Sequence, residues 1–107
     1  MRLRPLVAKL RKAARGKRRW VGLAVSDEVS TREELEDILG GIKSLGEEWR
    51  LYDFVNGQAI VRLPLSVYKV SRSTLESGVN GVRSLTASGK IRLVRERLGI
   101  EPPPRRR

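Results

Sequence analysis

The side chains best suited to chemistry in this sequence are basic, and the chemistry they offer is neutralisation of phosphate. Arg2, Arg4, Lys9, Arg11, Lys12, Arg15, Lys17, Arg18 and Arg19 fall within the first nineteen residues, with no acid among them. A second group follows later: Arg62, Arg83, and Lys90, Arg92, Arg95 and Arg97 in the last helical stretch. Each can release counterions when it docks on a phosphate, the main source of nucleic-acid affinity. Cations at this density without acids are not the composition of an ordinary solvated face. Ser88-Gly89-Lys90 adds a local candidate, since free amides at a helix start plus a lysine can hold one phosphate. Taken alone, the motif is better explained by simple capping through the same serine.

Catalytic chemistry is poorly supplied. The chain has no Cys and no His, which excludes disulfides, Cys/His zinc sites, a thiolate nucleophile and an imidazole base. Glu33, Glu34, Glu36 and Asp37 crowd the start of a helix, where the dipole favours negative charge, so they read as solvated dipole partners. No Walker loop or GxGxxG pattern occurs, and Ser84 and Ser88 lack a histidine base. No active site is expected within this chain.

The charge is unevenly placed. Of the net +11 over 107 residues, residues 1–19 hold nine bases, and residues 20–53 hold three bases and nine acids. Residues 54–107 return to eleven bases and three acids. An acidic segment between two basic ones predicts separate faces for separate partners. The length suits one domain around one core. The apolar run Val21 to Val25, extended only by Trp20, falls short of the roughly 7–15 residues of a signal peptide or the roughly 20 of a span. A cytoplasmic protein without a membrane partner is the expectation.

The elements that must position these cations follow from periodicity. Residues 1–19 form a basic arm in which Leu6, Val7, Leu10 and Ala14 have helical spacing after Pro5. Trp20 to Val25 is a first strand. Ser30 with Glu33, and Thr31 with Glu34, are overlapping capping-box signatures. They precede Leu35, Ile38, Leu39, Ile42 and Leu45, one face of an amphipathic helix weakened by Gly40-Gly41. Trp49 to Val55 and Gln58 to Leu63 form a hairpin about Asn56-Gly57, with Ala59, Val61 and Leu63 on one face. Pro64 stops it, and Val67, Val70, Ser71, Thr74 and Leu75 mark a second helix ending near Gly78. Asn80-Gly81 turns into a fourth strand from Val82 to about Thr86. Ser88 caps a last helix through Leu98, closed by Gly99, with Ile91, Val94 and Leu98 on its buried side. Pro102-Pro103-Pro104 and three arginines form an extended tail.

The order strand, helix, strand, strand, helix, strand predicts an α+β, ferredoxin-like (RRM-like) sandwich. A four-stranded antiparallel sheet carries helices on one face, with an extra C-terminal helix. Residues 20–99 form the domain, 1–19 the arm and 100–107 the tail. In the RNA-recognition motif, aromatics on the central strands stack bases. Here the corresponding strand offers Gln58 and Ile60, so contacts to phosphates and 2′-hydroxyls are the expected mode.

Two stretches together resemble protein component 2 of archaeal ribonuclease P. The first is Gly57-Gln58-Ala59-Ile60-Val61-Arg62, preceded by Gly46-Glu47 and the Trp49-to-Asp53 strand. The second is Val82-Arg83-Ser84-Leu85-Thr86-Ala87-Ser88-Gly89-Lys90-Ile91-Arg92, with Arg95 and Arg97 following. The resemblance covers roughly residues 18–98 and starts at Arg19-Trp20-Val21. Lys90 stands where the family more often has Thr, and Ser71 to Leu75 is more polar than its usual helix. The resemblance implies a protein subunit of the ribonucleoprotein that removes the 5′ leader from precursor tRNA. The RNA component holds Mg²⁺ and cleaves, so the protein itself needs no cofactor. Its partners would be ribonuclease P RNA, ribonuclease P protein component 3 and, indirectly, precursor tRNA. Two other readings stay open on sequence alone: a small ribosomal-type protein bound to ribosomal RNA, and a ferredoxin-like interaction or regulatory module.

Overall fold

The computed structural model describes residues 17–100. Strand β1 (Arg18–Val25) leads to helix α1 (Arg32–Gly40) and a 3-10 turn (Lys43–Leu45). The hairpin β2 (Arg50–Val55) and β3 (Gln58–Pro64) follows, then α2 (Leu65–Ser77), β4 (Val82–Ser88) and α3 (Ile91–Leu98). The strands form one antiparallel sheet in the order β2-β3-β1-β4. The chain therefore has the ferredoxin-like α+β fold. Of the expected segments, residues 1–16 and 101–107, with most of the basic arm and the tail, lie outside the described residues. Arg18 and Arg19, read from sequence as the end of the arm, belong to β1.

Alternation along the strands sorts the sheet into two faces. Val21, Leu23 and Val25 of β1 join Ala59, Val61 and Leu63 of β3 and Val82 of β4 in one core. Leu35 and Leu39 of α1 and Leu75 of α2 close it from above, all at most 1 % exposed. The Asn56-Gly57 turn holds φ values of +52° and +75°, the left-handed pair that fits the twist of a two-residue hairpin.

Of the two overlapping capping boxes, Thr31 with Glu34 forms. The Thr31 hydroxyl accepts from the Glu34 amide at 3.1 Å, while the Glu34 carboxylate accepts from the amides of Thr31 and Ser30. Those hydrogen bonds, Ser30 first, hold the Glu34 carboxyl below its ordinary range.

Three expectations are corrected. The first helix does not run to Leu45. It ends at Gly40, with Gly41 as its cap, because two adjacent glycines each cost about 1 kcal/mol of helix propensity. Ile42 and Leu45 reach the core from the following turn instead. On α2, Val70 is 69 % exposed and Thr74 is exposed. The inward row is Val67, Ser71 and Leu75, and the buried Ser71 hydroxyl donates to the Ser44 carbonyl at 3.1 Å. Finally, β4 continues to Ser88 and the N-cap of α3 is Lys90, without a side-chain cap. Ser88 Oγ accepts from the Lys90 amide at 3.2 Å, a local turn rather than a helix cap.

The largest addition to the sequence reading is the position of α3, which packs on the sheet face opposite α1 and α2. A Cβ built on Gly22 would lie 2.8 Å from Leu98 Cδ1 and 3.1 Å from both Val94 Cγ1 and Thr86 Cγ2. Glycine at the centre of β1 thus lets the helix sit down on the sheet. Beneath it Ile60 is fully buried, as is Val94 on the helix, and each such burial is worth about 1.5–3 kcal/mol. The guanidinium of Arg95 holds Asp53 of β2 by two hydrogen bonds, at 2.7 and 3.2 Å. On the other flank Arg97 donates to Thr86 Oγ1 and to the Ala87 carbonyl of β4. The helix is thereby fastened to both edge strands.

Candidate nucleic-acid interface

The strand pairing arranges the second sheet face in rows. Under α3 runs Thr86, Gly22, Ile60, Asp53, one residue from each of β4, β1, β3 and β2. The next row is Ser88, Trp20, Arg62, Arg50, and beyond it Arg18 lies opposite Pro64. A register shift between Leu51 and Asp53 makes a bulge at Tyr52, which brings that ring onto this face as well.

Trp20 and Tyr52 meet edge to face, with centroids 4.6 Å apart and planes at 77°. The Arg62 guanidinium lies 5.8 Å from the Trp20 centroid and 5.6 Å from that of Tyr52. Both distances are within cation–π range. No described carboxylate pairs with Arg18, Arg50 or Arg62. The acids of α1 lie on the other side of the sheet, above the main core.

The strand ends gather further cations here. Lys17, Arg18, Arg19, Trp20 and Gly89 line one shallow depression, and Lys90 follows Gly89 directly. Arg19 turns to the helix side, where it borders a second depression with Leu65, Tyr68, Lys69, Arg72 and Ala87. Positive charge therefore wraps around one end of the sheet, the end at which residues 1–16 join β1.

Of the sequence-predicted cations, Arg2, Arg4, Lys9, Arg11, Lys12 and Arg15 lie outside the described residues. Lys17, Arg18, Arg19, Arg62 and Lys90 are brought together at that end, with Ser88 in the same row as Trp20. Arg92 is exposed on α3. Arg83 pairs with Ala24 at the opposite end of β4, apart from the cluster. Arg95 is engaged by Asp53, with both side chains only 17 % exposed, so its charge is spent inside the protein. Arg97 is exposed but ties α3 to β4. These two arginines are fasteners of the fold first, because their partners lie on the edge strands that flank the helix.

Trp20, Tyr52 and Arg50 were not legible as site residues. The sequence shows two aromatics in strands, where they are ordinary strand formers. Only the register, with its bulge, reveals that they share a face with Arg62. Ile60, at a position expected to matter for stacking, instead fills the space beneath α3.

Fold and interface together define a small ferredoxin-like protein with a cationic, aromatic-bearing sheet end. No family model matches the chain, and no curated protein matches it.

Proposed function

We propose that this chain is a non-catalytic RNA-binding subunit of ribonuclease P, where it stabilises the catalytic RNA for 5′-leader removal from precursor tRNA. The observation that carries the reading is the gathering of Lys17, Arg18, Arg19, Arg62, Arg50 and Lys90 at the end of the sheet that the basic N-terminal segment enters. Cations unpaired by described carboxylates gain most from a polyanion, because no internal partner has to be given up. The ferredoxin-like topology agrees with the family that Gly57–Arg62 and Val82–Arg92 resemble. Ribonuclease P protein component 3 is the expected protein partner, and Mg²⁺ belongs to the RNA.

Binding to ribonuclease P RNA, measured against salt, tests this. The expected result is preference for that RNA over a ribosomal RNA fragment of equal length, with log K falling by roughly 0.7–0.9 per phosphate contact as log salt rises. Equal affinity for both RNAs favours the ribosomal reading. Salt-independent binding, or none, removes the RNA reading altogether.

A further inference from the structure

We propose that Trp20, Tyr52 and Arg62 form a stacking site for an unpaired base of an RNA strand whose phosphates are held by Arg18 and Arg50. The inference rests on the RNA-binding reading above and gives it a substrate form, single-stranded rather than duplex. Tyr52 is 37 % exposed on the edge strand and Trp20 half-buried on a central one, so the pair is open to solvent. In an edge-to-face pair one ring covers a face of the other, while the edge-on ring keeps a face for a third planar group. The Arg62 guanidinium adds a second plane and a positive charge, both of which favour a nucleobase. Among the described residues neither the indole N–H of Trp20 nor the phenol O–H of Tyr52 donates a hydrogen bond, so both donors are available to base edges.

The surroundings select the ligand. Arg50 pairs directly opposite Arg62, and Arg18 lies one row further on the same face. A strand that laid a base on the rings would therefore run its backbone between two cations. A-form duplex RNA keeps its bases stacked internally and offers only phosphates and 2′-hydroxyls, so it cannot use the rings. An apolar peptide could use the rings but not the cations.

The test uses the full chain with a single-stranded RNA of about ten nucleotides and an A-form duplex of equal phosphate count. Tryptophan fluorescence is read in the Trp49→Phe chain, which leaves Trp20 as reporter. The single strand is expected to quench Trp20 strongly and the duplex to leave it nearly unchanged. Trp20→Ala and Tyr52→Ala should each weaken single-strand binding by roughly tenfold, within the range known for one stacked base, with duplex affinity held. Trp20→Phe should recover most of the loss, and the exposed Tyr52 variant serves if Trp20→Ala fails to fold. Unchanged single-strand binding in both alanine variants overturns the site, as does an equal loss for both RNAs. Duplex binding without single-strand binding overturns this site and leaves the RNA-binding reading standing. If the unaltered chain binds neither RNA, both fall together.

Discussion

Replacing Gly22 sets two opposing terms against each other, and the structure says which wins. In a strand interior, alanine is better than glycine by about 0.5–1 kcal/mol, because glycine loses more backbone entropy on folding. Against this, the new Cβ would meet Leu98 at 2.8 Å and both Val94 and Thr86 at 3.1 Å. The Leu98 methyl can swing aside, since it ends a half-buried side chain. Val94 and Thr86 are β-branched and stiff at χ1, and β1 cannot shift because β3 and β4 hold it on both sides. Overpacking of this kind costs about 1–3 kcal/mol. For Gly22→Ala the net loss is then about 0.5–2 kcal/mol, and for Gly22→Val, with two further methyls, about 2–3 kcal/mol or more. At about 4–8 °C per kcal/mol for a domain of this size, the valine variant should melt some 10–20 °C lower.

Urea unfolding of Gly22→Ala, Val94→Ala and the double variant isolates the contact. Removing Val94 Cγ1 relieves one of the two clashes that cannot swing aside, so the losses should fail to add by about 1 kcal/mol. Additivity within about 0.5 kcal/mol, or a valine variant as stable as the parent chain, would refute the docking of α3 over this glycine.

Other consequences are more local. Asp53→Ala leaves the Arg95 guanidinium without its carboxylate at a site 17 % exposed, so stability should drop by about 1–3 kcal/mol, less than for a fully buried pair. Arg50→Ala should weaken RNA binding and flatten the salt slope by about one unit, whereas Arg95→Ala should lower thermal stability and leave that slope unchanged. The Glu34 carboxyl is held below its ordinary range by the amides it caps, so its contribution is complete above the unfolded-state value and lost as pH falls through the folded-state one. Thermal melts across the acidic carboxylate range should therefore show a loss in the parent chain that Glu34→Gln, still able to accept those hydrogen bonds, lacks. Gly57→Ala places a Cβ at φ +75° in the hairpin turn and should cost about 1–2 kcal/mol, read as a lower urea midpoint.

Much of the fold was legible because local chemistry agreed with the global result. Thr31 with Glu34, Asn56-Gly57 and Gly99 mark their boundaries through capping and turn geometry alone, and Ala59, Val61 and Leu63 alternate as a core face should. Where the reading fell short, the deciding term was tertiary. The spacing of Leu35 through Leu45 fits a helix, yet Gly40-Gly41 breaks it, and the last two side chains still reach the core by another backbone path. Val70 and Ser71 differ by one helical position, and polar Ser71 is the buried one because the Ser44 carbonyl awaits its hydroxyl. The amphipathic pattern of Ile91, Val94 and Leu98 says that α3 buries a face but not which side of the sheet receives it. The interface was half legible: cations announce a polyanion from composition, while the aromatic pair depends on a bulge at Tyr52 that strict alternation does not contain.

Precursor-tRNA cleavage at low Mg²⁺ reports directly on the proposed assistance to an RNA catalyst. Ribonuclease P RNA and protein component 3 are assayed with the chain, without it, and with a variant carrying Arg18→Ala, Arg50→Ala and Arg62→Ala. On the proposed function the chain lowers the Mg²⁺ needed for correct 5′-leader removal, and the triple variant loses most of this effect. Cleavage that is the same with and without the chain would contradict it.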